Sequence, residues 1–433
     1  MNEQESIQIE KSSESITSSQ PRLRRFVFAT VLVVCAYFTY ICISLSSPFY
    51  PQVAAKKKGS TADTEVGVVV GSIQLSAVIG SMIVGAYMNK IGVRFLLTAG
   101  PFLLGGCTVI FGFVGNIDTW ASFIGLSIAI NFVMGFGQVA FTTTASTVLV
   151  DMFSSRIATI WAVVALSLSL GYITGTPLGG FLYDSEGFFF PFVIIGSVLL
   201  LFVPLLLIFD AEGTDIIFRQ TDSNSQATMW SLVKMMPVLV VCVSQFLSFA
   251  PSALFQTSLP VFLSNTFGWS ASQIGMTFFI LGGAYLVSAI AVGVLADTTK
   301  PRPVMIIGLL VEGCSMLLIG PSFVFPFLSP RPWFVYLAMG LNGVGMAMVT
   351  VPSAADMIDT AVARDYEKNI SLFAVVSGLI NAATFSSGAL CSPISGALTA
   401  AFGFRQSTSY FAFIIFLHFI VTIVTTVVER RWS

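Results

Sequence analysis

Few side chains in this 433-residue chain could do chemistry, and most of those stand inside long apolar runs. The single histidine, His418, argues against histidine-based acid–base catalysis, and there are no paired acids and no nucleophile with a neighbouring base to suggest an enzyme. Six cysteines, Cys35, Cys42, Cys107, Cys242, Cys314 and Cys391, lack the Cys-x-x-Cys spacing of a metal site or a disulfide framework and read as small buried hydrophobes. No metal and no cofactor is expected. One acid, Glu312, lies in the middle of an apolar run, and two others, Asp356 and Asp359, lie near the end of another. An isolated ionised carboxylate in such surroundings is costly, so Glu312 is expected to be protonated at neutral pH unless a cation or strong donor reaches it. The two aspartates read at least as well as interfacial, solvated carboxylates.

The remaining polar residues are spaced for helices. Asn131, Gly135, Gln138, Thr142 and Ser146 recur at steps of three or four. So do Tyr37, Tyr40, Ser44 and Ser47, and Gln245, Ser248, Ser252 and Gln256, while Asn342, Met346, Ser353 and Asp356 share a face in the same way. Bonds between helices, worth about 0.6 kcal/mol each, would account for any one of these residues. Four stripes that agree point to a polar cavity instead. The expected cavity set is Tyr37, Tyr40, Asn131, Gln138, Gln245, Gln256, Asn342 and Asn381, with Glu312 and Asp356 as candidate proton sites.

Composition shows what must carry these stripes. Hydrophobic residues make up 55% of the chain and charged residues 9%, against about 25% charged in soluble domains. This is the alphabet of a membrane protein. A net charge of -1 gives no basic field for nucleic acid, which is not an expected partner. Since a bilayer core takes about 20 apolar residues per helix, the chain divides into twelve spans, from Phe26–Ser46 to Tyr410–Val428. The first is no signal peptide, because it is too long and follows a polar tail.

The expected layout is a disordered tail over 1–25, a six-helix bundle over 26–209, an inter-bundle loop over 210–232, a second bundle over 233–428 and a tail over 429–433. Placing both termini in the cytosol puts fifteen of the twenty Lys and Arg residues inside. Lys56, Lys57 and Lys58 form the main exception. Trp120, Trp269 and Trp333 then fall at the outer boundary, and Trp161, Trp230 and Trp432 near the inner one. The sequon at Asn369 falls in an inner loop and is expected to be unused. The halves also resemble each other: the segment from Val66 to Asn89 aligns without a gap on that from Ile274 to Asp297, at a constant offset of 208 residues. Pro177-Leu-Gly179 likewise has a counterpart in Pro393-Ile-Ser-Gly396. Duplicated halves of six spans are the mark of a transporter that rocks two bundles around a central site.

Over nearly the whole chain after the tail, the sequence resembles the major facilitator superfamily and, within it, the polyamine-type branch of the vesicular amine transporters. The segment Gly171-Tyr-Ile-Thr-Gly175-Thr-Pro177-Leu-Gly179-Gly180 resembles the antiporter motif Gly-x-x-x-Gly-Pro-x-x-Gly-Gly, with Thr176 at the motif's first proline. Between the second and third spans, Gly85-Ala-Tyr-Met-Asn89-Lys90-Ile-Gly92-Val-Arg94 resembles the family's inner latch, with Asn89 in place of its Asp; the second half keeps Gly293 and Asp297. Two charges of the family's proton-coupled amine carriers are missing, since Asn131 stands at an Arg position and Gln256 at an acidic one.

The resemblance implies an all-α membrane protein with two pseudo-symmetric six-helix bundles. It implies alternating-access transport of a small organic solute, and a cationic amine exchanged for protons is the expected cargo. A drug or metabolite exporter or an uncoupled carrier of the same fold stays open, as does a transporter-like receptor or scaffold. The expected membrane is that of a vesicle, another organelle or the cell surface.

Overall fold

The computed structural model describes residues 25–58, 62–152, 157–209, 229–320, 331–364, 366 and 370–432. Among them, twelve helices are long and apolar enough to cross a membrane. We number these α1 (Arg25–Ser44), α2 (Asp63–Ile91), α3 (Val93–Val114), α4 (Trp120–Met152), α5 (Ile157–Glu186) and α6 (Phe189–Phe209) in the N-terminal half. The C-terminal half holds α7 (Met236–Phe267), α8 (Ala271–Thr298), α9 (Pro301–Ile319), α10 (Pro332–Val362), α11 (Ile370–Phe402) and α12 (Phe404–Trp432). Two short helices, Tyr50–Lys58 and Met229–Val233, precede α2 and α7. The sequon at Asn369 and most of the expected inter-bundle loop lie outside the described residues.

Local chemistry sets the helix ends. Prolines open α7, α9 and α10, where a missing N–H costs no helical bond. At α8, the Ser270 side chain caps the Gln273 N–H while Gln273 Oε1 accepts from the Ser270 N–H at 3.0 Å, a reciprocal capping box. The turns after α5 and α11 use Gly187 and Gly403, both at φ +82°, a backbone region that side chains with a Cβ avoid. The duplication seen in the sequence thus extends to the turns.

Each half has its own apolar core. Large apolar side chains such as Phe102 on α3, Leu201 on α6, Ile307 on α9 and Leu417 on α12 are exposed, which makes these helices the lipid-facing perimeter. Cys314 corrects the reading of all six cysteines as buried: it is exposed on α9, whose apolar outer surface needs no protein cover in lipid. With twelve crossings, Arg25 and Trp432 lie at one end of the bundle, called the terminus end, and the opposite end is called the far end below. The Lys56–Lys58 run sits there on the short helix and is tied down, since Lys57 Nζ donates to the Ile117 carbonyl at 2.7 Å. Lys58 pairs with Glu65 and lies 4.9 Å from the Trp120 ring centre.

Candidate functional site: a cavity between the halves

Helices from both halves surround a cavity of about 360 Å³, a size suited to a small organic molecule. From the N-terminal half, Tyr40, Gln74, Gln138, Ser169 and Tyr172 line it. The C-terminal half contributes Phe249, Ser252, Gln256, Tyr285, Asn381, Thr384 and Phe385. Among the described residues, no charged side chain lines the cavity. Tyr40 on α1 and Gln138 on α4 stand next to each other on the cavity wall. Gln74, Tyr172, Gln256, Tyr285 and Asn381 make no side-chain hydrogen bond to another described residue, so their polar atoms are available to a solute.

Four of the eight cavity residues expected from sequence therefore line this space: Tyr40, Gln138, Gln256 and Asn381. Asn131 lines a smaller adjoining pocket and donates its Nδ2 to the Val69 carbonyl at 3.5 Å. The other three are engaged within their own halves. Tyr37 bonds the Thr174 hydroxyl at 2.9 Å. Gln245 donates to Thr384 Oγ1 at 3.1 Å, and its Oε1 accepts from Ser353 at 3.5 Å. Asn342 donates to Ser315 Oγ at 2.9 Å. In α7 the polar stripe divides at Pro251: Gln245 and Ser248 turn into the bundle, while Ser252 and Gln256 reach the cavity. A proline interrupts the helical hydrogen-bond ladder and bends the face on which the four residues were counted.

The candidate proton sites lie off the cavity. Glu312 is fully buried between α7, α9 and α10; Ser248 donates to its Oε1, and its Oε2 has no partner. The nearby Asn342 leaves its Oδ1 unpartnered too. Asp356 lies toward the terminus end of α10, where Arg302 Nε reaches both its oxygens at 3.0 Å.

Two seams join the halves, α5 on α8 and α11 on α2, and they are built alike. A Cβ on Gly180 would overlap the Ala271 carbonyl, and one on Gly275 would lie 2.6 Å from the Thr176 carbonyl oxygen. At the equivalent places Gly396 meets the Asp63 carbonyl and Gly67 meets Ser392 and Pro393. The antiporter-like segment thus has two faces. Gly171 and Gly175 rest on α1 and Gly179 on Leu45 just beyond it, while Thr176, Pro177 and Gly180 rest on α8. All these contacts lie in the half of the helices nearer the far end. Asp184 adds a latch at the α5–α8 seam alone, accepting from Ala271 N–H at 3.2 Å and Ser272 N–H at 2.7 Å at the α8 N-terminus. Toward the termini, by contrast, no described atom lies within 4 Å of a Cβ placed on Gly293, and Met82, Tyr87, Ile290 and Val294 are exposed. Among the described residues, the close contacts between the halves lie toward the far end.

In the latch-like segment, Gly92 turns the chain at φ +101° and Lys90 Nζ lies 5.5 Å from the Tyr87 ring centre. Arg94 sits in the first turn of α3. The side chains of Asn89 and Asp297, and the surroundings of Gly85, lie outside the described residues. Sequence reasoning missed Gln74, Tyr172 and Tyr285. Each lies in a span whose other polar residues are mainly serines and threonines, and a glutamine or tyrosine among these small hydroxyls and aliphatic neighbours was the available signal.

Two six-helix halves, seams of small residues and a central cavity define a carrier that works by alternating access. The sequence profile of the Major Facilitator Superfamily matches residues 32–249 and 241–432, and the chain belongs to that family. It is 30% identical over 377 residues to the MFS-type transporter SLC18B1 of Mus musculus, covering 84% of this chain and 79% of the relative. It is 24% identical over 345 residues to the chromaffin granule amine transporter of Homo sapiens, covering 79% of this chain and 61% of that protein. In fold it is similar to a bacterial homolog of the human lysosomal transporter Spinster in an inward-facing, occupied conformation, with a TM-score of 0.72 at 15% identity, covering 93% of this chain and 97% of that one. The chain is a multi-pass membrane transporter of a small solute, related to the vesicular amine transporters.

Proposed function

We propose that the cargo is a small organic amine, carried by alternating access in exchange for protons. The observation that carries this reading is the cavity itself, where tyrosine and phenylalanine faces stand among unpartnered amides. Aromatic faces hold an ammonium group by cation–π attraction without a carboxylate. The names of the relatives, an MFS-type transporter and an amine transporter, support the same class.

Glu312 is the proton site in this reading. It is the buried acid farthest from either end of its bundle, it keeps one oxygen unpartnered, and Ser248 links it to the helix that presents Ser252 and Gln256 to the cavity. Asp356, already paired with Arg302, serves better as a structural ion pair of the terminus end. The lysine and arginine distribution supports cytosolic termini, so the present arrangement is the cytosol-facing state of a vesicle or other organelle membrane. The glycines and Pro177 of the antiporter-like segment act as the contacts that re-form when the halves rock.

One observation favours an uncoupled carrier instead, namely that no charged side chain among the described residues lines the cavity. Amine uptake into proteoliposomes with and without an imposed pH gradient separates the readings. Accumulation that collapses with the gradient is expected. Equal saturable uptake in both conditions would leave an uncoupled carrier, and no saturable uptake would leave a transporter-like protein of another kind.

A further inference from the structure

We propose that the central cavity takes a second class of cargo, a neutral planar ring that carries an N–H beside a C=O, the donor–acceptor edge of a nucleobase. Such a cargo shares the cavity with the amine proposed above but does not depend on it, since it brings no charge and needs no proton site.

Among the described residues four primary amides line the cavity, Gln74 on α2, Gln138 on α4, Gln256 on α7 and Asn381 on α11, two from each half. Each carries an acceptor C=O and a donor NH2 in one plane. An ammonium group can use only the oxygens. The NH2 donors of Gln74, Gln256 and Asn381, which bond no other described residue, are then left for a solute that brings acceptors. A ring edge with an N–H beside a C=O or a ring nitrogen uses both atoms of one amide at once, which is how asparagine and glutamine read adenine.

Gln74 and Gln256 are the pair placed to grip this edge. A Cβ on Gly388 of α11 would lie 2.6 Å from Gln74 Cγ, so Gln74 reaches from α2 across the space that this glycine leaves open. Gln74 and Gln256 both also line the smaller adjoining pocket, which puts the two amides at one wall of the cavity, one from each half. A ring bonded to both sits between the moving halves, where carriers built from two repeats bind their cargo. Its faces are served by Tyr40 and Tyr172 of the first half and by Phe249, Tyr285 and Phe385 of the second, since stacking on aromatic side chains holds any base by its π face. No lysine or arginine among the described residues lines the cavity, so a phosphate on the same cargo would be buried without a partner. Nucleobases are accepted and nucleotides refused.

The test is counterflow of labelled hypoxanthine in proteoliposomes at uniform pH, with counterflow of labelled 2-phenylethylamine measured in the same vesicles. Saturable hypoxanthine counterflow is expected. 1-Methylhypoxanthine, which keeps the ring but loses the N–H of the edge, should compete at least about fivefold less well, the effect of one buried polar group left unbonded. Inosine monophosphate should not compete. Gln74→Leu and Gln256→Leu should narrow the preference for hypoxanthine over its 1-methyl analogue, a ratio that misfolding does not change. Equal competition by the two purines, or a preference unchanged in both variants, overturns the grip by the amides. Amine counterflow without hypoxanthine counterflow overturns the second cargo and leaves the amine reading standing. Hypoxanthine counterflow without amine counterflow removes the amine reading alone, and absence of both overturns both.

Discussion

In the N-terminal half, rings fill the interior near the far end: Phe49 stacks on Tyr183 at 4.6 Å, Tyr50 on Phe123 at 5.7 Å, and Phe192 packs 5.0 Å from Phe111. Buried hydroxyls there, such as Thr39, Thr108 and Thr144, bond back to carbonyls of their own helices. The N-terminal half also has inter-helix bonds from Tyr37, Asn131 and Ser167, but in the C-terminal half pairs of side chains bond to each other across the helices more often. Ser248 meets Glu312, Asn342 meets Ser315, Gln245 meets Thr384, and Ser244 lies 2.8 Å from His418 Nε2. The duplication kept the seams and let the interiors diverge. A ring-filled half can move as a rigid body, while a half containing a buried acid has a packing that depends on protonation, so the proposed coupling belongs to the second half.

The largest expected effects fall where the halves are alike. Gly180→Leu and Gly396→Leu force side chains into carbonyls across the two seams, and overpacking of this kind costs about 1–3 kcal/mol, or roughly fivefold to 150-fold in closure. Uptake rates, normalised to inserted protein, should fall together. A loss confined to one variant would break the equivalence of the seams.

Next come the interiors. Ser248→Ala leaves a buried carboxyl oxygen without its donor, a change worth about 1–3 kcal/mol. Tyr37→Phe removes only the bond to Thr174, near the average of about 0.6 kcal/mol for membrane helices. Thermal denaturation in detergent should therefore fall further for Ser248→Ala. The reverse order would mean that the polar network of the second half does not hold it together.

Both comparisons show what a sequence of this kind conveys. Twelve spans, two halves and the glycine–proline seams were readable because hydropathy and duplication are written along one dimension. The partners of Gln245 and Asn342 were not, since helical spacing gives the face of a residue but not the neighbour opposite it, and Pro251 turns the face of α7 partway. The lining residues Gln74, Tyr172 and Tyr285 lie on helices whose other polar residues are mainly small hydroxyls, which bond within a helix as readily as they mark a cavity face. The Asp184 latch was hidden for a similar reason, because only the tertiary fold brings it to the α8 N-terminus.

Latches give the smallest effects. Asp184→Asn removes a charge from the α8 N-terminus, worth about 0.3–1 kcal/mol, and should lower far-end closure by roughly two- to fivefold. Asn89→Asp, which restores an acid to the latch-like segment, should strengthen closure at the terminus end by a similar factor. The two shift the population in one direction, so their effects on cysteine cross-linking between α5 and α8 should add. No change in cross-linking for either variant would remove the latch argument.

The most direct test of the account uses Glu312→Gln, which keeps the shape of the buried side chain but cannot release a proton. Counterflow, in which labelled amine exchanges with unlabelled amine at uniform pH, needs only the cavity and the rocking of the halves. Accumulation driven by a pH gradient needs the proton site as well. The variant should retain counterflow near the unmodified rate and lose gradient-driven accumulation. Gradient-driven accumulation that survives the substitution unchanged would contradict the account.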